Sequence, residues 1–195
     1  MDQSSDLAAS EDSSMVIEET LVQHQTGIER LHQQAFNAEA GQIQQLLLNF
    51  QQDASAQPLL SLVALEQDQV VGQVVFSQAL ISGQAQAKAF ILAPLGVLPT
   101  HQSSGIGSRL VKAGLERLAQ QGADLVFVFG DPDYYGRFGF QAANAWELPA
   151  PYPIPAPYEE AWQVVALQAQ ALGTIKGQVL CCDALSRLEL WQVES

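Results

Sequence analysis

The segment at residues 91–107, ILAPLGVLPTHQSSGIG, constrains the fold more than any other part of the chain. An apolar run ends at Pro99, a short polar loop follows, and two glycines precede an amphipathic run. This order predicts a strand, a loop and the first turn of a helix. Backbone N–H groups without helical partners converge at such a turn, together with the positive end of the helix dipole. The segment therefore predicts a site for a phosphate group.

The neighbouring segments predict an α/β fold with a mixed sheet. Residues 59–65 and 70–79 flank the turn EQDQ and predict a hairpin, and a third strand that ends at Leu98 extends it as an antiparallel meander. Residues 106–121 predict an amphipathic helix that Gly122 ends. Residues 124–129 predict a buried strand, which should lie parallel to the strand before the helix.

The ends of the chain complete this prediction. Residues 1–14 are acidic and serine-rich, so we expect a disordered tail, and residues 15–195 should form one domain. Three further features are predicted: a first strand at 15–22, helices at 26–37 and 39–50, and a final strand pair formed by 162–169 and 175–182.

Composition excludes several classes of function. The 21 acidic and 8 basic residues give a formal charge of −13, which argues against a nucleic-acid partner. Cys181 and Cys182 are adjacent and lack metal-site spacing, so buried thiols and no metal are expected. No apolar run is long enough to span a membrane, and the first residues do not resemble a signal peptide. A cytoplasmic location without membrane partners is the expectation.

Two common phosphate-binding motifs do not fit the glycines of the loop. A dinucleotide fold needs G-x-G-x-x-G, and Leu110 stands at the third glycine position. A nucleoside triphosphate loop ends in Gly-Lys-Ser or Gly-Lys-Thr, and neither sequence occurs. The pattern that remains at residues 102–107 is [Q/R]-x-x-G-x-G.

This pattern resembles the acetyl-CoA motif of the GNAT superfamily of N-acetyltransferases, because LGVLP precedes it and an amphipathic helix follows. The later YGRFGF at 135–140 is similar to the tyrosine-to-GF element of these enzymes, and residues 93–140 resemble the YhbS-like branch of small bacterial acetyltransferases. The resemblance implies a GNAT-type acyl-CoA N-acyltransferase fold: a mixed, mostly antiparallel sheet with splayed parallel central strands and helices on both faces.

The resemblance also implies a reaction. An acetyl group would pass from acetyl-CoA, as co-substrate, to a primary amine of a small molecule or protein by direct attack. Tyr135 would be the acid that serves the leaving sulfur, with Tyr134 as its packing partner. The residues implied in coenzyme A binding are Leu95, Gly96, Val97, Gln102, Ser103, Ser104, Gly105, Ile106, Gly107 and Ser108.

Other assignments stay open at this stage. Glu39, Asp131 and Glu147 are candidates for the general base, His101 is expected to be structural, and Arg109 is expected to assist phosphate binding. GDPDY stands where many family members carry Asn-x-x-Ala. The alternative function is a GNAT-fold module that binds acyl-CoA as a sensor or partner-binding subunit without turnover. The amine acceptor is not identified, and a homodimer is the assembly considered.

Overall fold

The structure of the chain is a computed structural model that describes residues 15–191. The tail predicted at residues 1–14 lies outside the described residues, and the single domain predicted for 15–195 stays a prediction. The strands are β1 (Val16–Glu19), β2 (Leu60–Glu66), β3 (Gln69–Ile81), β4 (Ala89–Val97), β5 (Leu125–Phe129), β6 (Gln141–Ala142), β7 (Trp162–Ala166) and β8 (Val179–Cys181). The helices are α1 (Gln25–Phe36), α2 (Ala40–Gln52), α3 (Ile106–Gln120), α4 (Pro132–Tyr135) and α5 (Ala171–Thr174).

One mixed sheet runs through the fold in the order β1-β2-β3-β4-β5-β7-β6, and β8 pairs with the end of β3. β2 to β4 form the predicted antiparallel meander, β1 extends it by pairing with β2, and β4 and β5 are the predicted parallel pair. The predicted pairing of residues 162–169 with 175–182 is wrong. β7 pairs with β5 and β6, whereas β8 pairs with residues 79–81, where β3 extends beyond β2 and leaves an edge open.

The central strands separate at their carboxyl ends. β4 pairs with β5 only from Ala89 to Leu92, although β4 continues to Val97. Opposite β3, Val74 pairs with Leu95 and the next matched pair is Phe76 with Leu92, so two β4 residues oppose one β3 residue. Such a bulge bends a strand and ends its regular pairing on one side. The predicted splay of the parallel strands is therefore present.

Helices cover both faces of the sheet. The alternation in β5 separates the two cores: Val126 and Val128 pack in the cluster that contains α3, and Leu125 and Phe127 pack in the cluster that contains α2. Both sets are buried, which explains why LVFVF is apolar throughout. No helix in the described part of the chain is both long enough and apolar enough to cross a membrane. The expected cytoplasmic location and the homodimer stay predictions.

Candidate active site

Two cavities adjoin the carboxyl end of β4, where β4 has no β5 partner. The first, here called the loop cavity, has a volume of about 580 Å³ and is lined by Leu95, Val97, residues of the segment 101–108, Tyr134 and Arg137. The second, the gap cavity, has a volume of about 340 Å³ and is lined by residues from the segments 36–46, 91–95, 128–135 and 185–191. Leu95 lines both cavities, so β4 joins them where β5 has diverged.

Backbone conformation builds the floor of the loop cavity. Gly105 precedes α3 with φ +85°, a left-handed conformation that glycine adopts without a steric penalty, and Ser103 is also left-handed at φ +63°. The first helical hydrogen bond runs from the Arg109 N–H to the Gly105 carbonyl. The N–H groups of residues 106–108 therefore lack helical partners and are available to an anion.

Arg137 brings a positive charge to this cavity, and among the described lysines and arginines only it lines the loop cavity. Its guanidinium lies 4.5 Å from the centre of the Tyr134 ring, and its Nε donates to the Tyr134 carbonyl at 3.1 Å. The Tyr134 hydroxyl in turn lies against Gly107, where an added Cβ would approach it to 2.6 Å. Burial raises the pKa of Tyr134, although the Ser108 side chain and the charge of Arg137 oppose this shift.

The direction of the β4 backbone follows from one hydrogen bond. The Leu98 N–H donates to Val71 of β3 at 2.9 Å. Because backbone groups alternate in direction along a strand, Gly96 also faces β3, whereas Leu95 and Val97 direct their N–H and C=O groups away from β3. That side has no β5 partner, and the Gln102 side chain donates to the Val97 carbonyl there at 3.3 Å. Leu95 and Val97 thus present backbone groups to the cavities.

Tyr135 lines the gap cavity at the end of β5. Its ring packs edge-on against Tyr134 and Phe140, and an added Cβ at Gly130 would meet this ring at 2.5 Å, so the glycine permits the close approach. Burial, followed by the neighbouring Tyr134 and Asp131, raises the pKa of Tyr135 well above that of free tyrosine. The hydroxyl therefore stays protonated, which suits a hydrogen-bond donor.

The structure gathers most of the predicted coenzyme A residues but not all of them. Two lie outside both cavities: the Ser104 hydroxyl donates to the His101 carbonyl, and Gly96 packs against His32 and Phe36. The predicted residues that line the loop cavity are Leu95, Val97, Gln102, Ser103, Gly105, Ile106, Gly107 and Ser108. Tyr135 lies in the adjoining gap cavity, so the predicted acid and the predicted phosphate loop meet along β4.

Of the three acidic candidates for the general base, only one lies at the gap cavity. Glu39 lines the gap cavity. Asp131 instead caps α4 by accepting from the Asp133 N–H at 2.9 Å, and Glu147 forms an ion pair with Lys176 at 2.8 Å. Neither Asp131 nor Glu147 lines a cavity that contains Tyr135, so of the three only Glu39 remains a candidate.

Two other predictions about the loop have different outcomes. Both ring nitrogens of His101 are engaged, Nε2 with Glu66 at 3.0 Å and Nδ1 with Thr100 at 2.8 Å, in keeping with the structural role predicted for it. The prediction that Arg109 assists phosphate binding is not supported. Its guanidinium reaches the Met15 carbonyl at 3.4 Å, and Arg109 does not line the loop cavity. It stands on the side of α3 that faces β1.

Sequence reasoning missed two contributions to the site. Arg137 belongs to the tyrosine-to-GF element. The available signal was its spacing of three residues from Tyr134, the ring on which it stacks in the structure. The second contribution is the C-terminal segment, whose Glu189 and Trp191 line the gap cavity. No local pattern links that segment to β4, because tertiary packing alone brings it there. Among the described residues, no cluster of three or more His, Cys, Asp or Glu side chains is arranged to hold a metal ion.

Comparisons with known proteins show what the chain is similar to. A family model described as an acetyltransferase (GNAT) domain matches residues 23–143. The chain is 39% identical over 150 residues to a protein of Escherichia coli (strain K12) named as the uncharacterized N-acetyltransferase YjhQ. The matched region covers 76% of this chain and 80% of that protein. It is 36% identical over 121 residues to the uncharacterized N-acetyltransferase YhbS of the same strain, covering 62% and 70%.

Solved structures extend the similarity across more of the chain. A crystal structure of the GNAT family N-acetyltransferase YhbS from Escherichia coli in complex with CoA superposes with a TM-score of 0.78 at 31% identity, covering 89% of this chain and 92% of that one. A GNAT family acetyltransferase from Brucella melitensis in complex with acetyl-CoA gives a TM-score of 0.68 at 28% identity, covering 89% and 99%. The predicted fold is confirmed by these neighbours.

Proposed function

Because the chain belongs to the GNAT family of N-acetyltransferases, we propose that it transfers an acetyl group from acetyl-CoA to the primary amine of a small molecule or protein. One observation carries the proposal. Leu95, on the part of β4 that has no β5 partner, lines both a cavity floored by free N–H groups and a cavity that contains Tyr135. A single elongated molecule with a diphosphate at one end and a thioester at the other fits that arrangement.

The residues present fit coenzyme A. The N–H groups of 106–108 and the Arg137 guanidinium offer donors for a diphosphate, and hydrogen bonds to a charged acceptor contribute about 1.5–3 kcal/mol each. The Leu95 carbonyl and the Val97 N–H, which face away from β3, are free to bond the amide groups of the pantetheine arm. These donors allow an anion to bind despite the net charge of −13.

The bound acetyl-CoA supplies an activated acetyl thioester. The Leu95 N–H, which faces the gap, donates to the thioester carbonyl oxygen and stabilises the negative charge that develops there. The Tyr135 hydroxyl donates a hydrogen bond to the sulfur as its negative charge grows. Since the pKa of Tyr135 is raised by burial, hydrogen bonding rather than complete proton transfer is the effect expected of this group.

The amine enters from the side of α1 and α2. Apolar groups of Leu92, Val128 and Phe129 line the inner part of the gap cavity, and they exclude water from the reacting centre. The attacking nitrogen has to be neutral, so the acceptor amine leaves its ammonium proton to water at the exposed mouth of the cavity before it reaches this inner part. The proton released as the amide forms passes to the departing CoA sulfur. Attack is direct, since the described lining of the gap cavity holds no cysteine, serine or threonine that would carry the acetyl group first.

The test of this function has two parts. Titration calorimetry with acetyl-CoA measures binding, and a thiol-reactive dye measures free CoA released in the presence of a panel of primary amines. We expect saturable binding and amine-dependent release. Binding without release by any amine would instead favour the sensor or partner-binding module, and no binding at saturating acetyl-CoA would contradict both functions.

A further inference from the structure

The outer part of the gap cavity has a wall of apolar side chains from distant parts of the chain. Ile43 and Leu46 come from α2, and Leu185, Leu190 and Trp191 come from the C-terminal segment. Trp191 is held firmly, because its Nε1 donates to the Leu185 carbonyl at 2.9 Å and its ring lies 5.6 Å from that of Trp162. These side chains provide apolar contacts for a hydrocarbon chain.

The rim of the same cavity is negatively charged. Glu39 and Glu189 both line the cavity and both are exposed, and its described lining contains no lysine, arginine or histidine. Glu189 has one distant partner, Arg187, at 3.9 Å, and that pair is exposed on both sides. Glu39 has no ion-pair partner among the described residues. The rim therefore attracts a positive charge.

The part of the gap cavity lined by Leu92 and Val128 cannot hold a positive charge. Leu92 and Val128 are each at most 2% exposed, and an unpaired ammonium among such groups would lose its hydration without compensation. The nitrogen that receives the acetyl group thus enters this part as the free amine. Any positive charge that the rim holds while this nitrogen reacts therefore belongs to a different group of the same acceptor.

We infer that the acceptor is a diamine-type molecule: a primary amine joined through an apolar chain to a second amino group that is protonated when Glu39 and Glu189 bind it. This inference rests on the proposed function and names the substrate class of the same site. The apolar wall selects the chain, and the two carboxylates select the distal charge.

Three acceptors of equal chain length test it: 1,6-diaminohexane, hexylamine and 6-aminohexanoate. With acetyl-CoA saturating, we expect kcat/KM to fall in that order, with the diamine about five- to tenfold better than hexylamine, since exposed ion pairs contribute modestly and two are present. High salt should reduce the ratio between diamine and hexylamine, because these carboxylates are exposed.

Variants assign the effect to the rim. In Glu189→Gln, and more completely in Glu39→Gln combined with Glu189→Gln, the ratio of kcat/KM for diamine over hexylamine should approach one. The ratio is insensitive to any loss of rate common to both acceptors. Glu116→Gln is the matched control, because Glu116 is an exposed carboxylate on α3 that lies outside the gap cavity, and there the ratio should stay at the wild-type value.

The outcomes separate this inference from the proposed function. Equal rates for the three acceptors, a preference for 6-aminohexanoate, or a ratio that survives loss of both carboxylates would overturn the diamine assignment while leaving acetyl transfer intact. If no amine is acetylated, the proposed function fails, and binding of the three compounds to the CoA-loaded protein, followed by tryptophan fluorescence, decides the inference. Tighter binding of the diamine that the glutamine variants lose supports it, whereas equal or absent binding overturns it.

Discussion

The loop cavity and the gap cavity are built in different ways. Six residues of the segment 102–108 provide most of the loop cavity, and the donors that it offers to an anion are mainly backbone N–H groups at a helix terminus. The gap cavity instead combines side chains from four segments that span residues 36–191. Backbone donors exist whatever the side chains are, so the first cavity suits a ligand common to many enzymes. The second cavity depends on side-chain identity, and under the proposed function it determines which acceptor reacts.

The adjacent tyrosines test the difference between the two cavities most strongly, because Tyr134 lines the loop cavity and Tyr135 lines the gap cavity. In Tyr135→Phe we expect kcat to fall about 100-fold, because one hydrogen-bond donor to the developing charge is lost in a buried site. The affinity for acetyl-CoA should change by less than about threefold. Stopped-time release of CoA gives kcat, and titration calorimetry gives the affinity.

Tyr134→Phe is the matched control, since its hydroxyl lies at Gly107 in the loop cavity. It should change the affinity for acetyl-CoA without a large loss of kcat. Equal losses of kcat in the two variants would show that neither tyrosine has a special role at the sulfur. The kcat of the wild type should also show no decline attributable to Tyr135 below about pH 10, since the pKa of its hydroxyl is raised.

The packing behind the gap cavity should make the stability of the protein sensitive to acid, because the buried His32 packs against Phe36, which lines that cavity. His32 is fully buried, stacks on Phe36 at 5.4 Å between ring centres, and hydrogen-bonds through Nε2 to Gln73 at 2.6 Å. Its Nδ1 has no hydrogen-bond partner among the described residues. Burial lowers the pKa of His32 in the folded state, although its hydrogen bond to Gln73 opposes the shift.

The sign of the effect follows from proton binding. Unfolded His32 takes up a proton below about pH 6.5, whereas the folded protein resists it, so the free energy of unfolding falls as the pH drops through that range. Between pH 7 and pH 5 we expect His32 to account for a loss of up to about 2 kcal/mol, the limit reached if the folded protein takes up no proton at His32. Urea unfolding at the two pH values should show this loss in the wild type and a loss smaller by about that amount in His32→Gln. Identical losses in both proteins would rule out His32 as the cause.

Charge in the loop cavity is tested by Arg137→Gln. The variant should weaken acetyl-CoA binding about tenfold, the lower end of what a charge-assisted hydrogen bond contributes, because the guanidinium is exposed. The rate at saturating acetyl-CoA should be nearly unchanged. Arg109→Gln, whose guanidinium reaches β1 instead, should bind acetyl-CoA like the wild type. A variant at Arg109 that binds as weakly as one at Arg137 would mean that general charge, not the cavity, attracts the ligand.

The smallest expected effect concerns backbone conformation at Gly105. Gly105→Ala places a Cβ in open space, so its cost is conformational, about 1 kcal/mol or roughly fivefold in acetyl-CoA affinity. Gly136→Ala is the control, since an added Cβ there also meets nothing but φ is −54°. Thermal unfolding and calorimetry on both variants measure the difference. A loss in Gly136→Ala as large as that in Gly105→Ala would remove the special role of the left-handed turn.

The same contrast explains what could be predicted from the sequence. The strand, loop and helix at residues 89–120 follow from local patterns: an apolar run, paired glycines and helical periodicity. The loop cavity depends on that local backbone, so the sequence pattern could place Gly105 and its neighbours in one loop before a helix. The bulge that separates β4 from β5 depends on pairing with β3, and no local pattern marks it.

Long-range packing was not accessible in this way. β8 was expected beside β7 because the two are close in sequence, yet it pairs with the overhanging end of β3. Glu189 and Trp191 reach the gap cavity only because the C-terminal segment folds back over the sheet. Glu39 was one of three equivalent carboxylates until the structure showed which of them lines the cavity. The side chains that select an acceptor are thus the part that sequence patterns predict least.

A crystal structure with acetyl-CoA tests most directly the claim that one molecule bridges the two cavities along β4. We predict diphosphate oxygens within hydrogen-bonding distance of the N–H groups of 106–108, and the thioester between the Leu95 N–H and the Tyr135 hydroxyl. A diphosphate bound away from α3, or a sulfur atom outside the gap cavity, would contradict the account.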